Sequence, residues 1–396
     1  MTNRPAMTLL SPLMPYPPTA GALVHIYHLI HQLVRFYDLD LYVLSDTPER
    51  MAWGDLAPIC QDVRAFPRQY DWRIGFDPPA VRQEGSPKLT AYLRQRWAQH
   101  PPAIVQLEFT SMARYAHVAR HVGALTSCTA HVVGFQNQIR RARMEQRASM
   151  RLRRLVGAFS FWQYELRTLA LCDLIITLTE QDREVLRRWL PRLPIVSIPS
   201  GADLAAWQPC FNPQVEDAVL FVGNYQHPPN VEGALWLARE VWPLVLRQHP
   251  RAKLTLAGRG PTPAIQALAS ESIRVPGFVP DLRPLYASTS LFVAPIFWGS
   301  GMRIKLIEAL AAGVPIVTTA LAAEGMDVQA SALMAENPAS FAQAIVQLLD
   351  DRDLRVRLGA AGQLVARRDH DWRRLSERMA GVYAGMLASR ARGTPS

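Results

Sequence analysis

A chain of 396 residues with 49% apolar content and a mean hydropathy of −0.01 can bury two cores of ordinary size. It holds no run of about 18 uncharged apolar residues, which argues against a membrane-spanning helix. A formal net charge of +10 and a pI near 9.8 favour anionic partners, without choosing among phosphates, acidic lipid headgroups and nucleic acid.

Prolines break the opening MTNRPAMTLLSPLMPYPP before a signal-peptide core forms, so a cytoplasmic location is expected. Residues 6–10 read as a strand, and Leu23, Ile26, Leu29, Ile30, Leu33 and Val34 as the buried stripe of the helix that follows. Gly21 near its start would allow a substrate close to the backbone, or would simply turn the loop. His25, His28 and His31 recur at three-residue spacing on this helix, but two of them interleave with the stripe and no Cys or carboxylate completes a set. No metal site is expected there. The cysteines Cys60, Cys128, Cys172 and Cys210 lack CxxC or CxxH spacing, so neither a disulfide framework nor a zinc site is expected.

Further strands are expected at Asp40–Leu44, Val63–Phe66, Ile104–Leu107, His131–Gly134, Leu174–Leu178 and Ile195–Ile198, with helical patterns between most of them. Such alternation predicts a mainly parallel sheet with helices on both faces. Tyr70 to Pro87 has no clear period and reads as a mobile loop. Seven arginines (140, 141, 143, 147, 151, 153, 154) stand against the single acid Glu145, with Met144, Ala148, Leu152 and Leu155 as an apolar stripe. The stretch Arg140–Arg154 reads as one basic amphipathic helix, able to lie on an anionic membrane or to present a merely solvated face.

Leu291 to Thr319 carries the densest signal: an apolar strand (Leu291–Pro295), a loop with Gly299, Ser300 and Gly301, a helix (Met302–Ala312) and a second strand (Val314–Thr318). Ile304, Ile307, Leu310 and Ala311 fall at helical spacing, and Gly313 stands where a C-terminal cap belongs. A loop of this kind opens at the carboxyl edge of a parallel sheet, where the free N–H groups of the helix attract anions. Lys305 and Glu308, three residues apart, project from one side of the helix. Only three of the 43 basic residues are lysines, namely Lys88, Lys253 and Lys305, so a compact ammonium is kept here in a chain that otherwise writes cations as Arg. A cation beside phosphates, with a carboxylate one turn on, would grip the diphosphate and ribose of a sugar nucleotide.

At these residues the chain resembles the retaining family 4 glycosyltransferases. IEALAAGVPIV, from Ile307 to Val317, matches their second Glu and the GxPVV strand, whereas Ser300 stands where many members carry a first Glu. The stretch is similar to a subgroup reading GxGxRxKxLEA. PSGADLAAWQP from Pro199 resembles the IPNGVD signature that joins two domains, and VGNYQHPPN, through Gly223, Asn224 and Asn230, resembles the same subgroup. The resemblance implies an α/β GT-B fold: two facing Rossmann-like domains with a cleft between them and a C-terminal helix returning to the first. The domains would be residues 1–203, residues 204–370 and the helix 371–396.

It further implies a donor site of Gly223, Asn224, Arg259, Gly277, Phe278, Ser300, Gly301, Arg303, Lys305, Glu308 and Glu324, with Gly277 and Phe278 beside the nucleobase. Gly258-Arg259-Gly260 lacks the third glycine of a dinucleotide fingerprint and is weak support for NAD. On the first domain, Gln106 and Glu108 fall where relatives often carry a histidine near the reacting sugar. Glu108 would serve the reaction or cap the helix after it. Gly21, Asn137 and Gln138 are the acceptor-side candidates.

The function so implied is transfer of a sugar from a nucleotide-diphosphate donor to a hydroxyl of a glycan or lipid-linked acceptor, in polysaccharide or glycolipid synthesis. Lys305 and Glu108 are the catalytic candidates. Lys305 and the helix amides would stabilise the leaving diphosphate. They would take the part a metal plays, so no cofactor is expected besides the sugar nucleotide as co-substrate. A sugar-nucleotide epimerase or a non-catalytic binding protein are the alternatives. Nucleic acid is not expected, for want of a helix-turn-helix or an aromatic-interleaved basic motif. Peripheral contact with the inner face of a membrane through Arg140–Arg154 is a further expectation.

Overall fold

The computed structural model describes residues 4–19, 21–70, 77–299 and 301–392, and the chain divides into two compact units. One runs to Pro199 and takes in the chain from Arg373, and the other comprises Ser200–Gly299 and Arg303–Trp372.

The first unit is built on seven strands: β1 (Ala6–Ser11), β2 (Asp38–Ser45), β3 (Asp62–Pro67), β4 (Ile104–Glu108), β5 (Leu125–Ala130), β6 (Leu174–Thr177) and β7 (Ile195–Ser197). Their order is β3-β2-β1-β4-β5-β6-β7, all parallel. β4, β5 and β6 are buried at every residue, as a sheet covered on both faces requires. Helix Gly21–Leu33 buries Ile26, Leu29, Ile30 and Leu33, so the sequence stripe is the packed one. The final helix, Trp372–Ala391, ties this unit together: Tyr383 Oη donates to Gln106 Oε1 at 2.6 Å and Arg390 pairs with Asp173 at 2.5 Å.

Three expectations are corrected in this unit. His131–Gly134 is not a strand, because the strand is Leu125–Ala130 and a helix begins at Gly134. LTSCTA is small and half polar, but sheet neighbours on both sides bury all six residues. The basic stretch is two helices, Gly134–Met144 and Ala148–Leu169, because Glu145 is extended and its carboxylate turns to accept from Arg154 at 3.2 Å. Of the expected loop from Tyr70 to Pro87, residues 71–76 lie outside the described residues, while Pro79–Arg82 forms a helical turn.

The second unit holds β8 (Ala218–Val222), β9 (Lys253–Ala257), β10 (Ile273–Gly277), β11 (Leu291–Ala294), β12 (Ile316–Thr318) and β13 (Ala332–Met334), in the order β10-β9-β8-β11-β12-β13 and all parallel. Phe221, Phe292, Tyr286, Trp242, Leu310 and Ile316 belong to its core. In each sheet the connections leave the central pair in opposite directions, β1 and β4 in one unit and β8 and β11 in the other. That reversal opens a crevice at the carboxyl edge, the usual seat of ligands in open α/β sheets.

Candidate functional site

At the crevice of the second unit, helix Ile304–Ala312 follows β11 and buries Ile304, Ile307, Leu310 and Ala311, the stripe read from the sequence. Gly313 ends it in the left-handed conformation, φ +76°. The loop before it turns through Gly299 and Gly301 at φ +104° and +85°. Ser300 lies outside the described residues.

Lys305 does not face open solvent. Its Nζ donates to the carbonyl of Val222, the last residue of β8, at 2.9 Å and to Asn230 Oδ1 at 2.7 Å, and it sits 4.5 Å from the centre of the Phe221 ring. The Asn230 amide is oriented in turn by its Nδ2, which donates to the Asn224 carbonyl at 2.9 Å. Burial, and then the neighbouring Arg303 charge, bring the proton affinity of Lys305 down to about 7. Glu308, one turn on, is pushed up to about 8 by burial, against the opposing pull of the Tyr286 hydroxyl and Lys305. Tyr286 also donates to the Lys305 carbonyl at 3.1 Å, so a buried phenol braces the first turn of the helix. The site thus holds an ammonium and a carboxyl both biased toward their neutral forms.

Three neighbouring strand ends meet beside it. Gly223 N donates to Ala257 O at 2.9 Å, Gly258 N to Gly277 O at 2.8 Å and Tyr225 N to Arg259 O at 2.9 Å. Gly258 has φ +143°, and a Cβ there would stand 1.7 Å from the Gly223 carbonyl oxygen, so only glycine lets these loops stack. Gly223, Asn224, Arg259 and Gly277 are thereby brought together at one sheet edge. Phe278, just past it, is 53% exposed, an aromatic face open to a flat ligand. Glu324 follows β12 at the same edge, in a turn where its N–H donates to Leu321 O at 3.3 Å. Asn224 is largely occupied by its own turn, since its side chain accepts from Gln226 N at 3.0 Å.

The first unit places Glu108 at the end of β4, wholly buried. It caps no helix. Its Oε2 lies 2.6 Å from His131 Nε2, while Oε1 accepts from Gln106 Nε2 at 2.8 Å and Thr129 Oγ1 at 3.2 Å. His25 joins them, its ring centre 4.9 Å from that of His131. The proton affinity of His25 is driven well below the ordinary histidine value by burial, then by the charges of His131 and His28. A carboxylate does stand beside one of the helix's histidines: Glu108 at the end of β4 and His131, just past β5, join His25, with the three ligand-type atoms within 4.8 Å of one another. Gly21 begins its helix as expected. Asn137 and Gln138 lie in the first turns of helix Gly134–Met144, whose N-terminus is already filled: Glu165 accepts from Gly134 N at 2.9 Å and Phe135 N at 3.2 Å. Burial raises Glu165 to about 7 against those bonds. Asn230, Phe221, Tyr286, His25 and His131 escaped the sequence reading as site residues, and the only sequence trace of them was the YQHPPN turn and the histidine spacing.

Two family models match this chain: one described as Glycosyltransferase Family 4 over residues 19–206, and one described as Glycosyl transferases group 1 over residues 216–351. Among curated proteins, a phosphatidyl-myo-inositol mannosyltransferase of Mycobacterium leprae is 31% identical over 222 residues, 52% of this chain and 58% of that protein. An uncharacterized 44.6 kDa protein from the cps region of Klebsiella pneumoniae is 29% identical over 161 residues, 38% of this chain and 40% of that protein. The chain spans about half the length of the curated relatives it matches. Among solved structures, a sucrose-phosphate synthase from Thermosynechococcus elongatus superposes with a TM-score of 0.73 at 18% identity, covering 97% of this chain and all (100%) of that one. The HepE protein of Anabaena in complex with UDP gives 0.69 at 15% identity, covering 96% and 100%. These two show the fold, a pair of parallel-sheet α/β domains of the GT-B type. With one model on each unit and the motif from Ile307 to Val317 on the helix that carries Lys305, the chain belongs to glycosyltransferase family 4.

Proposed function

We propose that the protein is a retaining glycosyltransferase that moves a sugar from a nucleotide-diphosphate donor to a hydroxyl of a glycan or lipid-linked acceptor. The observation that carries this is the seat of Lys305, an ammonium held between the end of β8 and Asn230 at the head of a helix. A diphosphate arriving there meets Lys305 and the positive end of the helix at Ile304 and Lys305. Charge that develops on the departing diphosphate is stabilised by groups already in place. Glu308, biased toward its neutral form, can both donate to and accept from ribose hydroxyls. The HepE protein was solved in complex with UDP, which supports a diphosphate ligand on such a fold. Lys305 and the helix end supply the charge in this reading, with no cofactor beyond the sugar nucleotide.

The mycobacterial relatives are phosphatidyl-myo-inositol mannosyltransferases, which supports an acceptor carried by a lipid. So does one surface of the first unit. On helix Ala148–Leu169, Leu152, Leu155, Val156 and Phe159 recur at helical spacing and are 45–64% exposed, with Arg147, Arg151 and Arg153 alongside. Such a stripe matches a helix lying in an anionic interface, and no described helix is long and apolar enough to cross a membrane.

Thermal stabilisation by UDP-glucose, UDP-N-acetylglucosamine and GDP-mannose tests the donor site, and product analysis with radiolabelled donor and lipid vesicles tests transfer. Stabilisation of several degrees by at least one donor, with label moving to the lipid, is expected. A protein that none of these stabilises would not be a sugar-nucleotide enzyme.

A further inference from the structure

Three crossovers, from β3 to β4, β4 to β5 and β5 to β6, step the same way across the first sheet, so their helices cover one face of it. They are unequal: helix Ala116–His121 has 6 residues, between the 13 of helix Pro87–Gln99 and the 22 of helix Ala148–Leu169. A cavity of about 840 Å³ opens where a longer middle helix would lie, lined by Ala91 and Arg94, by Arg114 and Tyr115, and by Arg167 and Leu171. That volume is in the range of small-molecule sites, ~300–1,000 Å³. None of its lining belongs to the cluster of His25, Glu108 and His131.

Arg114 is given a seat in the cavity wall. A Cβ on Gly85 would stand 2.6 Å from Arg114 Nη1, so glycine leaves the space that the guanidinium fills. Three arginines line the cavity with one acid, Asp77, and Arg167 takes that acid at 2.7 Å. Among the described residues no carboxylate pairs with Arg94 or Arg114. Burial lifts the proton affinity of Glu84, beside Gly85, against the pull of the Ser111 hydroxyl, Arg68 and Arg114, so it offsets less of the Arg114 charge. The Tyr115 hydroxyl, also buried, makes no hydrogen bond of good geometry among the described residues.

We propose that this cavity is a second binding site, for an organic phosphate monoester with an apolar body. A monoester carries about −1.5 to −2 charges at pH 7, which matches two guanidiniums left without a partner. Arg94 and Arg114 take the phosphate oxygens, which suit their planar forks. Tyr115 adds a hydroxyl, and Ala91 and Leu171 wall the apolar body. A bare phosphate ion would leave that wall uncovered and most of the volume unfilled. A nucleoside monophosphate and a short-chain phosphatidic acid share this chemistry. The site stands on the first unit alone and is independent of the transferase reading.

Calorimetry on the full chain tests this, with wild type and with Lys305→Ala, in which the proposed donor seat does not compete. The probes are adenosine 5′-monophosphate, dihexanoyl phosphatidic acid, inorganic phosphate and adenosine. At least one ester should bind Lys305→Ala one-to-one with a Kd of about 100 μM or tighter, and about tenfold or more tighter than inorganic phosphate. The ester that binds names the source, a free metabolite or a lipid. Added to Lys305→Ala, Arg94→Gln, at an exposed position that the fold does not need, should weaken binding about tenfold or more, and Arg114→Gln likewise. Gly85→Ala should do the same by displacing the Arg114 guanidinium. No binding of either ester, binding that is lost with Lys305→Ala, or unchanged affinity in both Gln variants overturns the proposal. Inorganic phosphate as tight as the esters would mean an adventitious ion only, and adenosine as tight as its phosphate would mean a hollow with no anion seat; either result overturns it too.

Discussion

Lys305 is aimed by Asn230: the 2.7 Å bond from its Nζ to Asn230 Oδ1 is shorter than the one to the Val222 carbonyl, and Asn230 is itself pinned to the Asn224 carbonyl. A hydrogen bond to a charged group is worth ~1.5–3 kcal/mol. Asn230→Ala should therefore weaken nucleoside diphosphate binding by about 10- to 100-fold in calorimetry, with a small change in Tm. Unchanged affinity would mean that the amide does not aim the amine.

Lys305→Ala should fold and yet lose donor-induced stabilisation. Lys305→Arg should lose much of it as well, because a planar fork does not fit a seat between one carbonyl, one amide oxygen and an aromatic face. If both variants are stabilised by nucleotide sugars as wild type is, the donor site lies elsewhere.

The two shifted groups give opposite slopes of stability with pH. Glu308, raised from 4.5 to about 8, contributes stability that is fully present below pH 4.5 and is lost as pH rises through about 8. Lys305, lowered from 10.5 to about 7, contributes stability present above pH 10.5 and lost as pH falls through about 7. Glu308→Gln removes the first slope alone, so its advantage over wild type in urea unfolding should grow between pH 5 and pH 8. A constant difference across that range would contradict a buried, neutral-leaning Glu308.

Gly258→Ala should be severe. The added Cβ would overlap the Gly223 carbonyl at 1.7 Å, in a backbone conformation that L residues rarely adopt. A loss of roughly 3 kcal/mol or more in chemical denaturation is expected, with the loops after β8 and β9 displaced. A loss below about 1 kcal/mol would show that the stacked loops can part without cost.

Leu155→Glu with Phe159→Glu should leave Tm unchanged, since both side chains are exposed, and should cut binding to phosphatidylglycerol vesicles about tenfold or more. Wild-type binding should weaken with salt as the arginines are screened. Equal sedimentation of variant and wild type with vesicles would leave the stripe without that role.

The helix that carries Lys305 was legible because its four stripe positions, the glycine cap and the lysine lie within one short run, Ile304 to Gly313. Periodicity reports burial along one element, and here it was enough. β5 was missed for the converse reason: LTSCTA is buried by its sheet neighbours rather than by its own apolarity. The two partners that give Lys305 and Glu108 their character were also beyond reach. Asn230 stands 75 residues from Lys305 and His131 stands 23 from Glu108, and contacts set by strand order leave no local pattern. The histidines of the first helix looked like a local row, but it is His25 that joins a cluster, with Glu108 from the end of β4 and His131 from the turn after β5.

The hydroxyl of Tyr383 lies 277 residues from the amide of Gln106 that it fixes, on the last helix of the chain. A protease that clips this tail, or a premature stop after Trp372, would release that amide and with it one restraint on a carboxylate at the centre of the first sheet. Damage at the far end of the polypeptide would then register as misplaced chemistry well before it registered as unfolding.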